Sequence, residues 1–389
     1  MSYDSILEYL NALSKIYFSA SKKEKTKLLN HAIQVTKLHR KSIIRAIKNG
    51  NIINRRGKGL KKHKILYPKD TLSPHIEYIW HSMERISAKR MKEALKDWLP
   101  YYHENKVDNH IKYLLQKMSI TTLERFLKEL RVKSTVSKGL TSTSPARHMK
   151  NKVPINTLDS NVTKPGHTQA DTVAHCGDKL IGEFMNSITL TDIHSAWTMN
   201  RATFTKTALD VKDALKHIQK CLPFKLLTIN TDSGSEFLNI PIFNHFQREK
   251  VIFTRSRPYK KNDNAYVEQK NYTHVRELFG YQRIEHEELK SLMNEIYCEY
   301  WNPLQNYFLP TFKLKEKIMI GAKIKKTYGK PQTPYQRLME CDNLTEDQKE
   351  ELSRVKKKLN PFVLKRELEK KLSVFFVRLN ELNKIKKEN

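Results

Sequence analysis

At about residue 164 the apolar period of the chain changes, and that change limits the possible folds more than any other feature. Before it, apolar side chains recur at helical intervals: Leu28, Leu29 and Ala32; Leu38, Ile43, Ile44 and Ile47 over about 37–48; Ile79, Met83, Ile86, Met91, Leu95 and Trp98 over about 75–99; and LERFLKEL within about 108–131. After it, short β-prone segments at 167–173, 184–191, 195–203, 225–231 and 251–255 are bounded by turn residues, and helical spacings at 207–221, 239–249, 264–278 and 286–300 fall among them. Three strands in succession, then alternating helix and strand, predict an α/β domain whose sheet is covered on both faces, preceded by an all-α region.

Charge follows the same division. The 389 residues carry 72 Lys and Arg against 41 Asp and Glu, a net +31 that points to a polyanionic partner. Residues 1–150 hold 32 basic and 12 acidic side chains, 164–310 hold 18 and 17, and 311–389 hold 21 and 11. A near-neutral middle between basic arms predicts a catalytic module held on nucleic acid by its neighbours, because phosphate attraction adds up over many Lys and Arg. No apolar run approaches the roughly 20 residues that span a bilayer, and MSYDSILEYLNALSKIYF lacks the pattern of a signal peptide. The expectation is a cytoplasmic, nucleic-acid-associated protein with no membrane partner. Cys176, Cys221, Cys298 and Cys341 stand singly, which argues against a disulfide framework or a Cys-rich zinc module.

The flanks read as follows. Residues 1–54 fit a helix-turn-helix unit in which Ser21 and Glu24 have capping-box spacing and the second helix shows Arg40, Lys41, Arg45 and Lys48 outward for DNA. Residues 55–71, opening on RRGKGLKKHK with Arg55 and Arg56, form a basic linker. Residues 72–135 read as a second helical DNA-binding unit, with Pro74 starting one helix, Thr121 and Glu124 capping another, and Arg125 and Lys128 facing DNA. A Ser/Thr/Lys-rich linker fills 136–163. The basic region 311–389 ends in amphipathic helices interrupted at Pro361, with Leu352, Val355, Leu359, Leu364, Leu368 and Leu372 at helical spacing. These helices either pair protomers or cover the core.

Three carboxylates stand out in 164–310. Asp171 follows the start of a strand near His167, Asp232 ends the strand LLTINTD, and Glu268 lies in NDNAYVEQKN, a helical segment with Asn262 or Asn264 as its cap. Acids at the ends of two strands can meet at one sheet edge, with a Glu on an adjoining helix completing the group. An all-carboxylate set suits Mg²⁺ or Mn²⁺ rather than zinc, and two such ions serve in-line displacement at phosphate. Gly234 permits the turn after Asp232 in TDSGSEF. Asn264 shares a helix face with Glu268, and Lys260 and Lys261 precede it as contacts to the scissile strand. Asp192 reads as a turn carboxylate, His167 as packed beneath the site, Tyr266 as a structural aromatic and Asp263 as a cap.

HTQAD at 167–171, TDSGSEF at 231–237 and the 35-residue spacing from Asp232 to the Glu268 of VEQKN resemble the integrase catalytic core of bacterial insertion-sequence transposases and retroviral integrases, the DDE superfamily. YWNPLQNYFLPTFKL at 300–314 and KIKKTYGKPQTPYQRLME at 323–340 resemble the end and tail of the same transposases. The resemblance implies a ribonuclease-H-like integrase core with a mixed sheet over 164–310. It implies that Asp171 bridges two Mg²⁺ ions while Asp232 and Glu268 hold one each. It also implies a transposase or integrase that processes 3′ ends of a mobile element and transfers them to target DNA, as a homo-oligomer on DNA. The alternatives are a structure-selective nuclease on the same fold and a domesticated DNA-binding regulator.

Overall fold

The structure is a computed structural model that describes residues 3–49, 67–102, 108–131, 153–154, 162–257, 264–320 and 323–388. It divides into two compact units, Met1–Pro68 and Lys69–Asn389. Among the described residues no helix is long and apolar enough to cross a membrane.

The first unit contains α1 (Tyr3–Tyr17), α2 (Lys22–Thr36) and α3 (Arg40–Asn49). The capping box is formed: the Glu24 amide donates to the Ser21 hydroxyl and Ser21 N–H donates to the Glu24 carboxylate, 2.8 Å away. Such a cap contributes about 1 kcal/mol. Lys37 ends α2 in the left-handed conformation (φ 53°), and α3 starts three residues later than the apolar pattern suggests. Leu10, Leu13, Leu29, Ala32, Ile43 and Ile47 form the unit's buried core. Lys41, Arg45 and Lys48 lie outside it in solvent, while Arg40 is half-buried and donates to Asn30 Oδ1 at 2.7 Å.

In the second unit α4 (Lys69–Ser82), α5 (Ala88–Trp98), α6 (Asn109–Lys117) and α7 (Ile120–Arg131) pack together. Pro74 lies inside α4 rather than starting it, so the helix takes in Lys69–Thr71. The pattern over 75–99 is two helices, because Glu84 and Arg85 take positive φ (56° and 51°) and break it. The Thr121–Glu124 cap is also corrected. Ser119 caps α7, accepting from Thr122 N–H at 3.1 Å, and Glu124 pairs with Arg131.

β1 (His167–Ala174), β2 (Asn186–Asp192), β3 (Thr198–Thr203), β4 (Thr228–Thr231) and β5 (Ile252–Arg255) form one mixed sheet in the order β3-β2-β1-β4-β5. The β1–β2 and β2–β3 pairs are antiparallel, and the β1–β4 and β4–β5 pairs are parallel. The helices α8 (Ala208–Lys220) and α9 (Ile240–Arg248) connect the later strands. All seven residues of β2 are buried, and since neighbours on a strand face opposite ways, both faces of the sheet are covered, as the alternating pattern requires. This is the mixed α/β domain expected.

Two long helical rods lean on the sheet, each built around a π-helical turn: α10 (Ala265–Lys270), Asn271–Arg276 and α11 (Glu277–Phe279); then α12 (Leu289–Glu295), Ile296–Trp301 and α13 (Asn302–Phe308). The second rod closes the outer edge of β3. Asn306 Oδ1 accepts from Thr198 N–H at 2.9 Å and its amide donates to Thr198 O at 2.8 Å. Asn302 treats Asn200 the same way, and Asn294 treats Ala202. Four residues of helix rise about 6 Å, close to the roughly 6.7 Å between alternate residues of a strand, so Asn302 and Asn306 reach alternate peptide groups.

Beyond the core, β6 (Leu314–Ile320) and β7 (Lys323–Tyr328) make a hairpin, and α14 (Pro334–Met339), α15 (Glu346–Lys358) and α16 (Pro361–Glu388) follow. The C-terminal helices pack on the core and on the helical layer. Trp98 of α5 donates to the Phe308 carbonyl at 3.0 Å and meets Phe362 edge-on at 4.9 Å, and Lys356 pairs with Asp97 at 2.6 Å.

Candidate active site

The carboxylates converge because of register. Ala170 of β1 pairs with Thr231, the last residue of the parallel strand β4, so Asp171, still within β1, lies beside Asp232, the first residue beyond the end of β4. Strands lie about 4.8 Å apart, which fixes the scale of their separation. Asp232 Oδ1 accepts from Gly234 N–H at 3.0 Å in the turn that TDSGSEF predicts. A Cβ at Gly234 would sit 2.6 Å from the Glu236 carboxyl carbon and 3.0 Å from Asp232 Oδ1, so a larger residue there would displace the Glu236 carboxylate.

The glutamate helix is docked from its first turn. Gln169, buried in β1, accepts from the Tyr266 and Val267 amides at 3.1 and 3.3 Å. Asn230 of β4 and Ser256 after β5 both donate to Asn264 Oδ1 at 2.9 Å. Asn264 is therefore buried and holds the helix to the sheet, which corrects its expected place in contact with DNA; it stands at the cap position, yet its side chain makes no capping bond. The resulting placement leaves Glu268 exposed and close enough to Asp171 to act on it electrostatically.

Burial pushes the Asp171 carboxyl up to about 7, with the Asp232 and Glu268 charges adding to the rise; the Thr172 N–H at 2.8 Å and Asn271 oppose it. Burial likewise raises Asp232 and Glu236, each moderated by Lys206, whose ammonium lies 3.7 Å from Glu236. Glu236 and Asn271 escaped the sequence reading. Asn271 follows Glu268 by three residues, one helical turn, and donates to Asp171 Oδ2 at 2.6 Å. Glu236 is buried two residues past Gly234. Their signal was helical spacing in the one case and the repeated acid of TDSGSEF in the other.

Among the described residues no group of three or more His, Cys, Asp or Glu is already drawn together as a metal cage. The donor set nevertheless fits a hard divalent cation. It is all oxygen and mutually repelling, and three buried polar atoms beside it have no hydrogen-bond partner: Asn271 Oδ1, Ser233 Oγ and Thr172 Oγ1. Of the other expected residues, Arg125 and Lys128 are exposed on α7, while Arg55, Arg56, Lys260, Lys261, Asn262 and Asp263 lie outside the described residues. Asp192 is a turn carboxylate, accepting from Gly166 N–H and from Ser195 N–H and Oγ–H. His167 is half-buried within hydrogen-bonding distance of Thr228 Oγ1.

The Asp171 shift has a measurable consequence. The folded protein holds that proton more tightly than the unfolded chain, so the group's stabilising contribution is full below the ordinary value of 3.8 and is lost as the pH rises through about 7. Asp171→Asn is expected to raise the metal-free melting temperature by about 3–6 °C at pH 8 and to leave it unchanged at pH 4, read by calorimetry. An equal shift at both pH values would place the effect elsewhere.

Over 336 residues the chain is 30% identical to the uncharacterized protein y4rM of Sinorhizobium fredii (strain NBRC 101917 / NGR234), a match that takes in 85% of this chain and 94% of that protein. The chain belongs to the y4rM family. No family model matches this y4rM relative. Solved structures similar to it include retroviral integrase chains. The catalytic core domain of HTLV-2 integrase, in complex with magnesium and dimeric, is 17% identical over 38% of this chain and 90% of that one, with a TM-score of 0.28. The core domain of BIV integrase is 17% identical over 45% and 94%, with a TM-score of 0.29. A chain of the simian T-cell lymphotropic virus intasome is 18% identical over 43% of the y4rM relative, which spans 54% of it, with a TM-score of 0.27.

Proposed function

We propose that the protein is a DNA transposase or integrase, a polynucleotidyl transferase that exposes the 3′ ends of a mobile element and joins them to target DNA. The observation that carries this reading is the pair of acids on adjacent parallel strands, Asp171 within β1 and Asp232 just past the end of β4, with a glutamate-bearing helix locked beside them by Gln169 and Asn264.

Asp171, Asp232 and Glu268 would hold Mg²⁺ or Mn²⁺, two ions in the full site. When bound, such ions lower the pKa of an attacking hydroxyl and neutralise the leaving oxygen. The chain's own residues then have defined tasks. Asn271 keeps Asp171 turned toward the glutamate helix through its 2.6 Å bond. Lys206 balances the buried charge of Glu236 and Asp232, so that the edge does not fly apart before a cation arrives. Water first, and then the freed 3′-hydroxyl, attacks phosphorus in line, and no protein nucleophile is needed.

DNA would be held by the basic arms. Lys41, Arg45 and Lys48, with Arg40 at their edge, present a basic face of α3, and Arg125 and Lys128 do so on α7; Arg55, Arg56, Lys260 and Lys261 add charge to the same task. Two element ends must be held at once, so the working form is a homo-oligomer on DNA.

The deciding experiment supplies the protein, Mg²⁺, short duplexes carrying the element's terminal repeat and a supercoiled plasmid. Joined products are expected. Nicks without joining would identify a structure-selective nuclease, and DNA binding without cleavage would identify a regulator.

A further inference from the structure

The helix α16 is 28 residues long, about 42 Å, and its inner face is fully used: Leu364, Leu368, Phe375 and Leu379 are buried against the rest of the unit. Its outer face carries apolar residues in solvent. Val374 is 56% exposed and Val377 59%. Around them, Glu367, Lys370, Val374, Val377, Glu381 and Lys384 follow one another at alternating intervals of three and four residues. That is the spacing of a coiled-coil seam, here lying on the side of the helix that meets nothing among the described residues.

We propose that this seam pairs antiparallel with the same seam on a second copy of the chain, about a two-fold axis passing between Val374 and Val377. The charges choose both the direction and the register. Antiparallel pairing about that axis sets Val374 against Val377 of the second copy, Lys370 against Glu381 and Glu367 against Lys384, so every opposed polar pair is of opposite sign. Parallel pairing would set Lys370 on Lys370, Glu367 on Glu367 and Glu381 on Glu381. An isologous contact of this kind closes on itself and stops at the dimer.

Among the described residues these side chains make surface ion pairs within the helix, Glu367 with Lys370 at 2.9 Å and with Arg366 at 3.4 Å, and Arg378 with Glu381 at 3.2 Å. Exchanging such pairs for pairs across the seam costs little. The apolar centre is small, so the contact is weak between free molecules and gains strength when two copies occupy one DNA, where the second contact becomes intramolecular.

Sedimentation equilibrium of the full-length protein, without DNA or metal, tests the pairing apart from the catalytic reading. Wild type is expected to dimerise at concentrations up to about 100 µM. Lys370→Glu alone and Glu381→Lys alone are each expected to weaken self-association at least about tenfold, because each opposes like charges twice. An equimolar mixture of the two variants is expected to associate as well as wild type, since every opposed pair then regains opposite signs. The proposal is overturned by a wild-type monomer at about 100 µM, by single variants that dimerise normally, or by a mixture that stays monomeric. Because no DNA is present, none of these results depends on whether the protein joins DNA strands.

Discussion

Asp232→Asn is expected to lower Mg²⁺-dependent nicking and joining by about a thousandfold or more, a barrier increase of roughly 4 kcal/mol, while leaving folding and DNA binding intact. The asparagine carbonyl can still accept from Gly234 N–H, as Asp232 Oδ1 does at 3.0 Å, so the turn survives. What disappears is the negative charge beside Asp171. With one like charge gone, the Asp171 carboxyl should titrate lower than in the wild type, a shift readable by NMR. A gel assay on labelled end DNA measures the activity, and filter binding measures the affinity. Wild-type joining by this variant would remove Asp232 from the proposed metal set.

The largest stability effect should come from the junction of the helical layer with the core. Trp98 is fully buried, its indole N–H satisfies the Phe308 carbonyl, and its ring lies edge-on to Phe362. Trp98→Ala removes that volume and strands a buried carbonyl, so a loss of about 3–5 kcal/mol is expected, seen as a fall in melting temperature of roughly 10 °C. Trp98→Phe keeps most of the ring packing and should cost about 1–2 kcal/mol, the penalty of the unmet carbonyl. A fall under about 2 °C for the alanine variant would mean that this tryptophan does not join the two layers.

Much of the core could be read from local pattern. The five strands lie within a few residues of the β-prone segments bounded by turn residues, because both signals are local to the strand and its ends. Ser21 and Glu24 formed their box because capping depends only on residues three apart. Position 119 shows the limit of that logic: Ser119, Thr121 and Thr122 all suit a cap by residue type, and it is Ser119 that accepts from the Thr122 amide. Asn264 looked like a surface residue near the acids, yet its partner Asn230 is 34 residues away in sequence and comes near only once β4 and the helix are in place. The β6–β7 hairpin was missed for a different reason. Its lysine-rich strands bury little, with Met319 75% exposed and Ile318 42%, so no apolar face announced them. Glu236 and Asn271 belong to the same class as Asn264. Their spacing from Asp232 and Glu268 was a local signal, but the roles depend on neighbours supplied by other strands and helices, such as Asp171 for Asn271 and Lys206 for Glu236.

The three asparagines along β3 settle one further matter. A free strand edge is an invitation to any extended chain, and aggregation or strand exchange commonly starts there. Here Asn294, Asn302 and Asn306 imitate the peptide groups of an absent neighbour, so the hydrogen-bonding capacity of that margin is spent inside the molecule. The sheet has an end rather than an opening on that side. Copies of this protein therefore do not extend one another's sheets across β3, and assembly needs no strand exchange on that side of the catalytic domain.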